Sequence, residues 1–443
     1  MRSRDKNWPR AASSTVVALA AITVATAGSV GSASASPATA TSSAAASSTT
    51  TSLTSPPCVQ NVGDVIDAKP TSRMFRRALP ERLVHRLDDA ATAGMEQAST
   101  PGAIVGVRTP EGTWTKAYGF ADPANLRRMK LGTHTRIGSV TKTFTGTLLL
   151  QLAQRGRLSL DDPISEYVAG VPNGDEVTLR HLATMTSGVA SYTANTTFTD
   201  QLFANPRATF DVDELIAIGL ADSPIFEPGT TFNYSNTNFL LLGKVIEQVT
   251  GERLGRVYET RIFRPLGLDD TSWPGNRRAL PEPYAQGFTL QGDTATPRRP
   301  SKATHWSPSW AGAAGAIIST MSDLLTYGRA LGTGQGLLHP SAQAERLRSF
   351  PRPAGYGLAM GCIDGWVGHT GELPGYNTTL FYDTTTDTTV VVQANSDIAS
   401  GDCPESPILA GDPRTLVCSA PATRMFVALS TALGHTFTPP PSS

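Results

Sequence analysis

The stretch Gly138 to Gln154 (GSVTKTFTGTLLLQLAQ) restricts the possible folds of this chain more than any other. It has the length of a helix, Gly156 stands just past its end, and its second half is apolar nearly all the way round. A surface helix buries one stripe, so a helix with apolar residues on every face has to be covered on every face. That demands structure on both flanks, as in a large multilayer domain. At 443 residues the chain has the material, enough for two or three domains of about 150 residues or for one large enzyme core.

The surrounding segments indicate what does the covering. Phe75 to Gln97 carries Leu79, Leu83, Leu87 and Ala90/Ala91 at helical spacing, the pattern of an amphipathic helix. Gly102 to Arg108 and Thr113 to Gly119 are short β-type runs joined by Thr109-Pro110-Glu111-Gly112, a hairpin signal. From Leu158 to Pro300 helical periods alternate with loops. One helix follows Tyr234 and runs to Gly251, a left-handed stop, and another begins near Ser319. The end of the chain turns β over Gly355–Ile363, Trp366–Gly371, Thr378–Tyr382 and Thr388–Ala394, and a helix over Ala422–Leu433 closes it. This order predicts an α/β (α+β) fold with one antiparallel sheet made by both chain ends. The α/β lobe takes residues 75–157 and 301–437, a helical lobe takes 158–300, and a cleft lies between them.

The first residues are read separately. Arg2, Arg4, Lys6 and Arg10 precede a small-residue apolar run, Thr15 to Gly28, and Ala33-Ser34-Ala35 is an A-x-A cleavage site. That layout predicts a signal peptide over residues 1–35 and a secreted, extracellular protein. The run is too short to span a bilayer, and no cysteine sits at the cleavage point to carry a lipid, so no membrane anchor is expected after cleavage. Residues 36–74 read as a linker, of which Ser36 to Pro57 is almost purely Ser, Thr, Ala and Pro. Export makes Cys58, Cys362, Cys403 and Cys418 candidates for disulfides, with three connectivities open. A local Cys403–Cys418 bridge would close a Pro- and Gly-containing loop and leave Cys58 to tether the start of the fold to Cys362.

Lys+Arg and Asp+Glu both number 37, and charged residues make up only 17%. A neutral chain lacks the electrostatic footprint of a nucleic-acid binder. The chemistry sits instead in three short patterns that occur in order: Ser139-Val-Thr-Lys142, Tyr234-Ser-Asn236 and His369-Thr370-Gly371. Composition alone gives Ser-x-x-Lys about 0.6 times by chance and the ordered trio about 0.02 times. At a helix start, Ser139 and Lys142 share one face in a region of positive potential. A desolvated lysine there loses part of its proton affinity and takes the serine proton. Tyr234 is placed to relay a proton to a leaving group, and Asn236 to hold an acyl-side carbonyl. Gly371 lets backbone approach, so the N–H groups of Ser139 and Glu372 form an oxyanion hole. His369, an imidazole, is expected to titrate near neutrality.

Competing architectures are missing from the sequence. No G-x-S-x-G occurs, no H-E-x-x-H or Cys/His cluster suggests a metal, and no Glu is followed four residues later by Asn. No metal and no organic cofactor is expected. On the stretches IGSVTKTFTGTLLLQLAQRGRLSLDDPISEYV, LRHLATMTSGV, EPGTTFNYSNTNFLLLGKVIEQVTG, SWAGAAGAIISTMSDL, GYGLAM and VGHTGELPGY, the sequence resembles the serine β-lactamase and penicillin-binding-protein superfamily. It looks closest to the class C-like branch that includes the secreted actinomycete D-alanyl-D-alanine carboxypeptidase. The resemblance implies a two-lobed β-lactamase/transpeptidase-like fold and an acyl-enzyme on Ser139, with Lys142 and Tyr234 as proton carriers. It also implies Asn236 lining the substrate channel, Trp310 along the pocket wall, Thr370 near a substrate carboxylate, and His369 where many relatives carry a lysine. One departure stands out: Met360 to Trp366 is short and has no arginine, where that carboxypeptidase clamps a terminal carboxylate.

The resulting expectation is a monomeric serine hydrolase acting on D-amino-acid peptides, possible cell-wall peptides among them, or on related amides and esters. A β-lactamase or esterase of the same fold is the alternative, and a non-catalytic cell-wall peptide binder is the alternative from another class.

Overall fold

The computed structural model describes residues 56–69, 77–292, 294–350, 355–403 and 415–439. The signal segment expected over residues 1–35 lies outside the described residues, as does the linker up to residue 55. Among the described residues no helix is long and apolar enough to cross a membrane.

The centre is a seven-stranded antiparallel sheet built from both ends of the described chain. Its strands are β1 (Gly102–Thr109), β2 (Gly112–Asp122), β3 (Arg127–Arg128), β4 (Gly361–Ile363), β5 (Trp366–Leu373), β6 (Tyr376–Asp383) and β7 (Thr388–Ala394), in the order β3-β2-β1-β7-β6-β5-β4. The ends meet where β1 pairs with β7, Val105 opposite Val392. Alternation sorts each strand onto two faces. Ala103, Val105 and Val107 of β1 join Val390, Val392 and Ala394 of β7 against two helices, α2 (Glu81–Gln97) and the C-terminal helix Pro421–Leu433. Ile104 and Val391 face the opposite side, towards α3 (Thr141–Ala153) and the helix Met321–Thr333. Because helices cover both faces, β7 reads Thr-Thr-Val-Val-Val-Gln-Ala with every residue buried rather than alternating.

Helix α3 meets the demand its sequence makes: every residue from Thr141 to Leu152 is buried. Burying each of its leucines contributes about 1.5–3 kcal/mol. Its threonines are buried too, and their hydroxyls are satisfied locally or across the core, as where Thr145 Oγ1 donates to Ala313 O at 2.7 Å. Between the two halves of the sheet, the chain forms the helices Leu179–Ala183, Thr196–Ala204, Val212–Ala221 and α4 (Asn236–Thr250), among others. This middle portion is not wholly helical, since Phe288–Thr289 pairs with Ser301–Lys302.

Three boundaries differ from the sequence reading. Cys58 is bridged to Cys362, and Val59, Val62 and Val65, around α1 (Val62–Ile66), are buried in the core. Residues 58–66 therefore belong to the fold, not to a linker reaching residue 74; their short run of spaced valines carries too little pattern to register as a helix. The second bridge joins Cys403 to Cys418, the local pairing. Helix α2 begins at Glu81, after Pro80, rather than at Phe75, and the expected strand Gly355–Ile363 is reduced to β4 with an isolated bridge between Tyr356 and Gly361. Gly355 and Ala359 both take positive φ, which bends the chain out of an extended path.

Candidate active site

Ser139 sits in a single tight turn, Gly138–Val140, that feeds directly into α3. Three residues on, Lys142 points back along the same face and is fully buried. Its Nζ donates to Ser139 Oγ at 2.9 Å and to Ala314 O at 2.8 Å, and it lies 4.9 Å from the centre of the Tyr234 ring. Lys142 forms no ion pair among the described residues. Burial without a counter-ion pushes its pKa well below that of a free lysine. A neutral amine 2.9 Å from a hydroxyl is positioned to accept its proton.

Tyr234 ends the loop just before α4. Burial raises its pKa, and a hydrogen bond with Ser139 offsets this only in part. The same dry environment therefore gives the two neighbours opposite roles. It keeps the amine uncharged and basic, and it keeps the phenol protonated and able to donate.

Strand β5 forms the other wall. The two-residue turn between Leu373 and Tyr376 closes a hairpin, so the pair Glu372/Asn377 is the kind that does not exchange backbone hydrogen bonds. The N–H of Glu372 therefore faces away from β6. On that side β4 pairs no further than Gly368, which leaves the edge open beside His369 to Leu373. Two glycines let this edge meet the serine turn. A Cβ on Gly138, whose φ is +53°, would stand 2.4 Å from Glu372 N, and one on Gly371 would stand 1.9 Å from Ile137 O and 3.0 Å from Ser139 N. The two amides expected to bind an oxyanion thus come from backbones in direct contact.

The remaining expected residues surround this centre with differing exposure. Asn236 is the first residue of α4; its Nδ2 donates to Thr193 Oγ1 at 2.9 Å, and its backbone N–H to Ser191 Oγ at 3.0 Å. One amide hydrogen of Asn236 is thus already engaged. Trp310 is buried against Phe198, ring centres 5.7 Å apart, and its carbonyl accepts from the Tyr192 hydroxyl. It backs the wall rather than presenting a face. Thr370 is half-buried on β5.

His369 behaves differently from the sequence expectation. It is buried, with Nδ1 against Thr370 O and Nε2 3.1 Å from the Tyr356 hydroxyl. Since a carbonyl only accepts, Nδ1 carries the proton and Nε2 accepts from Tyr356. Burial, with the nearby Lys142 as a lesser cause, brings its pKa down to about 3, so it is neutral throughout the neutral range. A histidine whose folded pKa lies below its unfolded value of about 6.5 gives stability that is present above that pH and lost as pH falls towards 3. Urea unfolding at pH 7, 5.5 and 4 should show the parent losing stability more steeply than His369→Gln, the difference growing below pH 6.5 towards the roughly 1.4 kcal/mol per pH unit of one extra proton. Equal slopes would mean that the imidazole is solvated.

Sequence reading missed Tyr356, which fixes the His369 tautomer, and Ala314, whose carbonyl holds Lys142. It also missed Ser191 and Thr193, which anchor Asn236. Tyr356 and Ala314 lie inside stretches that carry the family resemblance (GYGLAM and SWAGAAG), but neither residue type announces its role. A further surprise is a pair of carboxyls. Glu372 and Asp397 lie close enough to repel, and burial first, then that repulsion, pushes the Glu372 carboxyl well above the usual carboxylate range.

Comparison with known proteins addresses the family and the fold. The Beta-lactamase family model matches residues 87–407. A D-stereospecific amidohydrolase from Streptomyces sp. superposes with a TM-score of 0.65 at 34% identity, covering 71% of this chain and 94% of that one. The D-amino acid amidase of Ochrobactrum anthropi SV3 gives 0.61 at 26% identity, over 72% of this chain and 92% of that one. The putative penicillin-binding protein PbpX of Bacillus subtilis is 25% identical over 302 residues, 68% of this chain and 72% of its own length. The flp protein of Staphylococcus aureus is 31% identical over 221 residues, 48% of this chain and 43% of its own. With the family model spanning most of the chain and a serine turn, lysine and tyrosine gathered at one strand edge, the chain belongs to the beta-lactamase family of serine β-lactamases and penicillin-binding proteins.

Proposed function

We propose that this protein is a secreted serine hydrolase that forms and hydrolyses an acyl-enzyme on Ser139, and that its substrates are D-amino-acyl amides and short D-peptides. The observation that carries the reading is the fully buried Lys142 amine, with no counter-ion among the described residues, 2.9 Å from Ser139 Oγ. In acylation Ser139 Oγ attacks the acyl carbon and its proton passes to Lys142. The carbonyl oxygen takes up the negative charge between the N–H groups of Ser139 and Glu372. As the C–N bond breaks, the Tyr234 phenol donates its proton to the departing nitrogen and recovers one from Lys142. Water then enters where the amine left and reverses these proton transfers, releasing the acid. Oxyanion stabilisation supplies about 10²–10³ of the rate per donor, so both amides matter.

The preference for D-amino-acyl amides rests on the likeness to the D-stereospecific amidohydrolase, together with the missing arginine between Gly357 and Gly368. Without that guanidinium, a substrate with a free C-terminal carboxylate loses its strongest anchor, while an amide or ester does not need one. Secretion is supported by the basic start and A-x-A site of residues 1–35 and by the two disulfides.

The test is a time course with penicillin followed by intact mass, run beside D-phenylalaninamide and a nitrophenyl ester. Release of ammonia from the D-amide, with none from its L-enantiomer, is the expected result. A lasting penicillin adduct without D-amide turnover would make the protein a carboxypeptidase-like enzyme. Rapid ring opening would make it a β-lactamase, and ester turnover alone an esterase. No adduct, no turnover and no labelling of Ser139 by a fluorophosphonate would leave only a peptide-binding role. The acidic limb of the pH–rate profile should belong to Lys142, because His369 is already neutral there.

A further inference from the structure

The wall of the cleft beside Tyr234 carries an imidazole with no hydrogen-bonding capacity to spare. His369 stands on the face of β5 turned towards Lys142 and Tyr234, its ring centre 6.2 Å from that of Tyr234. Since the Tyr234 phenol serves the departing nitrogen, His369 flanks the leaving-group side of the scissile bond. Its Nδ1–H donates to Thr370 O, and its Nε2 accepts from the Tyr356 hydroxyl at 3.1 Å. An imidazole engaged at both nitrogens has no N–H to offer a substrate, and it cannot take a proton at Nε2 while a hydroxyl donates there. Tyr356 is itself held firmly. It is fully buried and packs edge-on against the His369 and Tyr234 rings, at 5.5 Å and 6.2 Å between centres. The loop that presents it is tied down on both sides. Arg346 Nε donates to Leu358 O at 3.2 Å, Leu358 N to Ser349 Oγ at 2.8 Å and Ala359 N to Ala183 O at 3.0 Å.

Among the described residues, none of the groups packed around this wall offers a cation to an anionic leaving group. The titratable groups against His369 are Lys142 from α3, Tyr234 from the loop before α4, and Tyr356; none is an acid that would stabilise an imidazolium. Burial holds the Lys142 amine uncharged. Arg346 lies behind Tyr356, but its Nη1 and Nη2 are spent on Thr147 Oγ1 and Thr143 O. The connection from Met360 to Trp366 has no arginine. We propose that Tyr356 sets substrate specificity: by occupying His369 Nε2 it prevents a cationic wall from forming beside the leaving group, so the enzyme selects uncharged leaving groups over those that carry a carboxylate. This rests on the acyl-enzyme reading given above and supplies the device behind its preference for amides. Tyr356 is a positioning residue, acting through His369.

The experiment uses two anilides of D-phenylalanine that differ only in the para group of the departing aniline, a carboxylate in one and a carboxamide in the other. The ratio of their kcat/KM values is read within each protein. The parent should favour the carboxamide by about 10- to 100-fold at every pH from 8 to 5.5, the worth of one charge-assisted hydrogen bond that the carboxylate fails to find. In Tyr356→Phe the imidazole regains an open Nε2. The ratio should match the parent at pH 8 and fall as the pH is lowered, by at most about tenfold per pH unit because one proton is involved. His369→Lys places an ammonium on the same wall and should bring the ratio towards unity, chiefly through KM of the carboxylate substrate. A merely structural role for Tyr356 would slow both anilides together and leave the ratio flat with pH in Tyr356→Phe, which would overturn the inference. An unmoved ratio in His369→Lys would do the same. So would a parent that cleaves both anilides equally, or one labelled by a fluorophosphonate that cleaves neither; both results leave the acyl-enzyme reading intact. A parent that cleaves neither anilide and is not labelled would sink both.

Discussion

Ser139→Ala should lower kcat/KM by about 10⁵–10⁶-fold, Lys142→Met nearly as much, and the double substitution no more than the worse of the two. Each single change removes the same proton-transfer unit, so the second has nothing left to remove. Lys142→Met is the more informative variant because its effects on rate and stability have opposite signs. Among the described residues the buried amine has a hydroxyl and a carbonyl as hydrogen-bond partners, two aromatic rings beside it and no counter-ion, so the fold gains little from its charge. An apolar side chain of similar length should leave urea stability unchanged or raise it, although Ala314 O loses its donor. A rate collapse without a stability loss identifies a residue kept for chemistry. Equal losses of both, in activity assays and urea titrations, would identify Lys142 as a packing residue.

How far the sequence reveals this protein depends on whether each feature is local. Helix α3 was legible because its apolar surround has only one structural solution, and the hairpin β1–β2 because turn residues sit between two β-type runs. Ser139, Lys142 and Tyr234 are legible because their patterns occur together in order along the chain, and the structure gathers them within one centre. Burial was not legible, and it decides the chemistry. By residue type His369 reads as a switch near neutrality, but its partners, Tyr356 and the Thr370 carbonyl, enclose it. Likewise Glu372 and Asp397 stand 25 residues apart in sequence, so no window would pair them. The core valines of residues 58–66 were hidden for another reason: a short helix beside a low-complexity stretch has almost no period to detect.

Gly371→Ala should cost at least about 10³-fold in kcat/KM while leaving a folded protein, a large effect for one methyl group. At Gly229 or Gly336 an added Cβ would meet only a side chain, that of His181 or Leu266. At Gly371 it would stand 1.9 Å from Ile137 O and 3.0 Å from Ser139 N, both backbone atoms of the turn that presents the nucleophile. Neither can yield without moving the serine, so β5 must withdraw from the turn. That separates the Ser139 and Glu372 amides and shifts the bound acyl carbon from Ser139 Oγ. Losing one oxyanion donor accounts for about 10²–10³ and a misplacement of about 1 Å for another 10². Because the defect lies in geometry rather than in the nucleophile, a small fluorophosphonate should still label Ser139, only more slowly. Gly267→Ala is the control: its φ of +64° makes the change mildly strained, nothing lies within 4 Å of the added carbon, and activity should stay at the parent level. If Gly371→Ala retained full turnover, the β5 edge would not be part of the oxyanion site, and the assignment of the Glu372 amide would have to be abandoned with it.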